Sequence, residues 1–119
     1  MRNGGATMSP SEIRDTTLKQ LRETFQIMTS AEWDLELLGK PKAVVDAAAR
    51  NLLQVSSARL RLANAKLADI RDGLVENEED LEQGRKQLSK SLSKLNDVKA
   101  VLDAVSSFIG IVGRVIALF

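Results

Sequence analysis

The chain has no cysteine and no histidine among its 119 residues. Without cysteine there are no disulfides and no thiolate metal sites, and cysteine usage says nothing of the redox compartment. Without histidine the usual general base near neutral pH and the commonest metal ligand are missing. Tyrosine is absent too, and the one Trp and three Phe give an aromatic share of only 3%. The core must therefore be aliphatic. Only two prolines and seven glycines interrupt the chain. A net charge of +1 gives no basic footprint for nucleic acid. No apolar run follows a basic start, so no secretory signal is expected. The polar, glycine-rich residues 1–8 read as a disordered leader, with Met8 as a second candidate start. The expected location is cytoplasmic, with peripheral attachment to a membrane as the alternative.

What is present is helix-forming. Hydrophobic residues make up 44% of the sequence, and with few breakers this composition predicts an all-α fold of long helices. Ser9-Pro10-Ser11-Glu12 is a capping box with proline at the first helical position. Ile13, Leu18, Leu21, Phe25 and Met28 follow as one apolar stripe. Thr29-Ser30-Ala31-Glu32 resembles a second capping box, where the helix either breaks or runs through. Gly39 and Pro41 end this section.

From Leu53 a leucine falls every seven residues, at Leu60, Leu67, Leu74, Leu81, Leu88, Leu95 and Leu102, and Ile109 and Ile116 keep the register. With the position three further on, which runs from Ser56, Ala63 and Ile70 to Val98, Val105 and Val112, they form a seam that is convincing at both ends but reads Asn77, Gly84 and Ser91 in the middle. A seven-residue repeat held this long predicts coiled-coil packing. The weak stretch suggests a turn: Asp72-Gly73 to end one helix and Asn77 to cap the next. Charge agrees, because residues 72–82 carry six acidic residues and no basic one, between two arms of net +4. A single unbroken helix from Lys42 to the C-terminus is the rival, since the leucine phase crosses Gly73.

The hairpin gives three antiparallel helices, at 10–38, 42–72 and 78–119, in a single domain over residues 9–119. At about 1.5 Å per residue the first two are roughly 45 Å long and the third roughly 60 Å. The third overshoots and leaves Ile109 to Phe119 without an obvious partner. The candidate contact residues are Phe108, Ile109, Ile111, Val112, Val115, Ile116, Leu118 and Phe119, an apolar patch of the kind that marks an interface. Three readings stand: burial in the fold, contact with another copy or helical protein, and entry into lipid by residues 98–119. A standard span needs about 20 apolar residues, and Lys99, Asp103 and Arg114 stand against one here.

Lys86, Lys90 and Lys94 form a candidate stripe for an acidic partner or anionic lipid, or simply a solvated face. Arg59, Arg61 and Lys66 suggest a second basic stripe. No aromatic interleaves with the lysines, so single-strand stacking has no platform. Glu76, Glu78, Glu79, Asp80 and Glu82 lack the spacing of a calcium loop and read as an acidic helix start. Trp33 is a junction anchor or a partner contact. No phosphate loop, nucleophile elbow or HExxH motif occurs. The expectation is a non-enzymatic helical scaffold or interaction module, with a second copy or another helical protein as partner. No catalytic residue, metal, cofactor, nucleic acid or small-molecule substrate is expected.

Overall fold

The computed structural model describes residues 8–116 and is all-helical. Six helices follow one another: α1 (Pro10–Met28), α2 (Ala31–Leu37), α3 (Lys42–Asn64), α4 (Leu67–Glu76), α5 (Glu78–Leu92) and α6 (Val98–Ile116). The molecule measures 51 × 29 × 19 Å.

The three expected helices are each divided. The first breaks at Thr29-Ser30, where the Ser30 hydroxyl accepts from the Trp33 amide and caps α2. The second breaks at Ala65-Lys66, whose backbones are both extended. The third breaks between Leu92 and Val98. There the Ser93 hydroxyl donates back to the Lys90 carbonyl, and Asp97 caps α6 by accepting from the Ala100 amide at 3.2 Å. Gly39 takes the left-handed conformation expected of it, at φ 78°. Met8, counted with the leader, is half-buried, and its amide donates to the Glu78 carboxylate at 3.0 Å.

Cross-links between helices fix their directions. Met8 meets Glu78 and Gln20 meets Ser89, so α1 and α5 run parallel. Arg114 reaches Asn77 and Asp80, so α6 returns antiparallel to α5. Asn51 meets Leu102 and Ser106, in the middle of α3 and of α6. The chain thus runs up, down, up and down through α1, α3, α5 and α6, with α3 and α5 each lying against both α1 and α6. Packing of α4 against α1 and α6 crosses one end, and α2 packs on α1.

The return of α6 cancels the expected overhang. Phe108, Ile109 and Val112 are core residues, and Ile111, Val115 and Ile116 are half-buried against that core. Leu118 and Phe119 lie outside the described residues. Residues 78–116 form two helices, α5 and α6, rather than the one expected. The stop signal between them, Ser93 and Asn96-Asp97 before Val98, is ordinary capping chemistry that the leucine repeat masked.

The repeat itself does not trace one seam. Leu74, Leu81 and Leu88 are buried, whereas Leu53 is 71% and Leu60 56% exposed. The inward face of α3 is a different seven-residue set, Ala48, Val55 and Leu62 with Asn51 and Ala58. The break at Ala65-Lys66 resets the phase, and only after it do the repeat leucines face inward. The weak positions have their own reason. Gly84 faces α6 so closely that an added Cβ would lie 3.0 Å from Ile111 Cδ1 and 3.1 Å from Phe108 Cδ1. At Gly73, expected to end a helix but lying inside α4, an added Cβ would lie 3.3 Å from Val115 Cα.

Thr17, Gln20 and Thr24, buried on α1, find hydrogen-bond partners within the fold, whereas the Nε atoms of Arg14 and Arg85 are buried without one among the described residues. The Thr17 and Thr24 hydroxyls donate to carbonyls one turn back. The Gln20 amide donates to Thr24 and accepts from Ser89, joining α1 to α5.

Candidate interaction surface

α3 is amphipathic with a second apolar face. At 3.6 residues per turn, Leu53 and Leu60 lie nearly one above the other. Val55, Ala58 and Leu62 lie round the opposite side, in the core. Val45 and Ala49 extend the outer stripe toward the N-terminus, and both are exposed. Arg50 and Arg61 border it on one flank, also exposed. On the other flank Arg59 turns inward, with its guanidinium 5.3 Å from the centre of the Phe25 ring. That cation–π contact removes Arg59 from the basic stripe proposed for it with Arg61 and Lys66. Lys66 precedes α4 and continues no helical face.

α2 is short and sharply two-sided. Trp33 is buried, with its ring in the core cluster. Leu35 and Leu38 point away from it, 65% and 72% exposed. Glu32, Asp34 and Glu36 surround them. Large apolar side chains exposed one at a time are ordinary. Four exposed leucines, Leu35 and Leu38 with Glu32 and Asp34 beside them and Leu53 and Leu60 with Arg50 and Arg61 beside them, are a patterned surface.

The other candidates from the sequence fall elsewhere. Lys86 and Lys90 lie exposed on α5, with Lys86 3.9 Å from Glu82. Lys94 lies past the end of α5, so the spacing of four does not continue along one helix. Three of the five residues of the acidic run are paired within the fold, and Glu76 and Glu79 are exposed. Glu78 accepts from Met8, Asp80 pairs with Arg114 at 3.1 Å, and Glu82 pairs with Arg85 at 2.7 Å. Asn77 begins α5, but its side chain makes no cap. It instead donates to the Gly73 carbonyl at 2.8 Å and accepts from Arg114 at 3.3 Å.

An open groove of about 780 Å³ runs between α3 and α6, past Ala43, Ala47, Arg50, Asn51 and Leu102. Asn51 forms its floor, and α6 satisfies it: its amide nitrogen donates to the Leu102 carbonyl and its oxygen accepts from Ser106. No unpaired buried polar group remains there to orient a ligand. At its rim the Asp103 carboxylate accepts from Lys99 at 2.9 Å, and this hydrogen bond and charge hold the ammonium above the ordinary lysine value. Groups of His, Cys, Asp or Glu able to hold a metal ion do not occur among the described residues. Nor, among them, is any helix long and apolar enough to cross a membrane.

Sequence reasoning placed its candidate contact residues at the C-terminus and did not name the exposed leucine faces of α2 and α3. The signal was present: two interleaved seven-residue sets on one helix, of which only one can face a single core. Set against known proteins, the chain matches no family model, no curated protein and no solved structure.

Proposed function

We propose that the chain is a non-enzymatic helical interaction module that docks another helix on the outer leucine stripe of α3. The observation that carries this reading is the exposure of Leu53 and Leu60, seven residues apart, on a helix whose other face already supplies the core. Leucines at that spacing are half of a coiled-coil seam, and a partner helix supplies the other half. Burying each contributes roughly 1.5–3 kcal/mol, enough to matter against the cost of association. The charged flank, Arg50 and Arg61, selects an acidic partner.

The test uses a synthetic amphipathic helix with leucines every seven residues and glutamates beside them, followed by fluorescence anisotropy. The wild-type chain binds it. The Leu53→Gln/Leu60→Gln variant, changed only at exposed positions, binds about 100-fold or more weakly, the loss of roughly 3 kcal/mol. Equal binding by the two proteins would sink the reading. Flotation with anionic liposomes addresses lipid as the competing occupant, whether at this stripe or through residues 98–119. In the second case α6 must leave the core that it now fills. Flotation of the chain without peptide binding would favour the membrane over a helical partner.

A further inference from the structure

We infer that the natural occupant of this stripe is a second copy of the chain, with α2 of each copy lying on α3 of the other about a two-fold axis. This rests on the docking reading above and adds the identity of the partner. The argument is charge. Leu35 on α2 and Leu38 just past its end are exposed, with Glu32 and Asp34 exposed and Glu36 half-buried beside them. The outer face of α3 presents Leu53 and Leu60 beside Arg50 and Arg61. The ion pairs found among the described residues involve none of these five charged groups. One surface is leucine ringed by carboxylates, and the other is leucine edged by guanidiniums.

Only one of the three symmetric pairings matches them. α3 on α3 opposes arginines with arginines, and α2 on α2 opposes carboxylates with carboxylates; like charges in an interface are costly. α2 on α3 brings opposite charges together and leucines against leucines. Each copy carries both surfaces, so two copies joined about a two-fold axis make the contact twice and leave neither surface open. The acidic α2 is thus the partner helix that the basic stripe of α3 selects.

The experiment is a charge exchange read by sedimentation velocity at micromolar concentration. The first variant is Arg50→Glu/Arg61→Glu and the second is Glu32→Lys/Asp34→Lys. All four positions are exposed, and circular dichroism checks that helicity is kept. The wild-type chain is expected to sediment as a dimer. Each variant alone is expected to dimerise at least about 10-fold more weakly, a change of about 1.4 kcal/mol. An equimolar mixture is expected to regain the wild-type dimer, because each copy then meets a surface of opposite sign.

A wild-type chain that stays monomeric overturns the inference. So do variants that each dimerise unchanged, and a mixture that stays monomeric. If the first variant pairs with wild type as tightly as with the second variant, the contact is α3 on α3 and the arrangement inferred here is wrong. The wild-type monomer that still binds the leucine–glutamate peptide separates the two claims: the docking stripe stands and the second copy falls. A wild-type chain that neither dimerises nor binds the peptide sinks both.

Discussion

α3 and α6 are both rich in aliphatic residues at helical spacing, yet they stand in opposite positions. α6 places Val98, Val101, Val105, Phe108, Ile109 and Val112 inside the fold, and the charged Lys99, Asp103 and Arg114 lie exposed on its outside. α3 turns its smaller residues inward, Ala48, Asn51, Val55 and Ala58 with Leu62, and turns Leu53 and Leu60 to water. Size accounts for the difference. α3 packs against both α1 and α6, and small side chains let helix axes come close. The larger leucines are then available for contacts outside the chain. Hydrophobicity alone named α6 as the contact surface; the packing shows that α3 has apolar surface to spare.

Alanine substitution breaks or confirms this contrast most directly. Leu74→Ala and Leu88→Ala, at buried members of the repeat, are expected to cost about 2–5 kcal/mol each by lost transfer energy and a residual cavity. Leu53→Ala and Leu60→Ala, at exposed members of the same repeat, are expected to change the stability of the single chain by less than about 0.5 kcal/mol. Urea unfolding at concentrations too low for association separates the two classes. A large loss from Leu53→Ala under those conditions would mean that the outer stripe is covered within the chain, and the docking reading would fall.

Two glycines give a smaller contrast of opposite sign. Gly84→Ala puts a methyl group 3.1 Å from the buried Phe108 ring and 3.0 Å from Ile111. Overpacking costs about 1–3 kcal/mol, and the gain in helix propensity of at most about 1 kcal/mol offsets only part of it. The expected net is a loss of about 1 kcal/mol. Gly110 sits in α6 with open space where its Cβ would be. Gly110→Ala therefore gains helix propensity without a clash, and an increase of up to about 1 kcal/mol is expected. Thermal melts of both variants check the signs. If Gly84→Ala stabilises the fold, the close approach of α5 and α6 is softer than the geometry implies.

The all-helical class was legible from composition and caps, and so were the start of α1 at Ser9, the cap of Gly39 and the change of helix at Asn77. Each rests on chemistry local to a few residues. What was not legible depended on partners distant in sequence. Nothing local says that Leu53 faces water while Leu74 does not; that follows from the phase shift at Ala65-Lys66, where no side-chain cap marks the start of α4. Asn77 was read as a cap because asparagine commonly caps, but Arg114, 37 residues away, takes its side-chain oxygen. The middle of the repeat looked defective because Gly84 has no side chain, and its reason is the Phe108 ring on another helix. The expected overhang has the same cause: the turn at Ser93–Asp97 returns α6 to the core, which favours burial in the fold among the three readings of that segment.

The smallest expected effect compares helix ends rather than faces, and it depends on pH. α1 begins with a reciprocal cap: the Glu12 amide donates to the Ser9 hydroxyl at 3.2 Å, and the Ser9 amide donates to the Glu12 carboxylate at 2.8 Å. α3, α4 and α5 begin without a side-chain cap. The hydrogen bond from the Ser9 backbone, and then that with its side chain, holds the Glu12 carboxyl below the ordinary carboxylate value. A group lowered on folding stabilises the fold fully above its unfolded pKa, and that contribution is lost as pH falls through the lowered folded value. Ser9→Ala is expected to cost about 1 kcal/mol near neutral pH. Glu12→Gln keeps an acceptor but removes the charge, so its stability should differ from wild type above the carboxylate range and converge with it in acid. The difference in melting temperature between wild type and Glu12→Gln, followed from neutral pH downward, should therefore shrink toward zero. A difference that stays constant in acid would show that the carboxylate charge plays no part in the cap, leaving the Ser9 hydroxyl and Pro10 to set the start of α1.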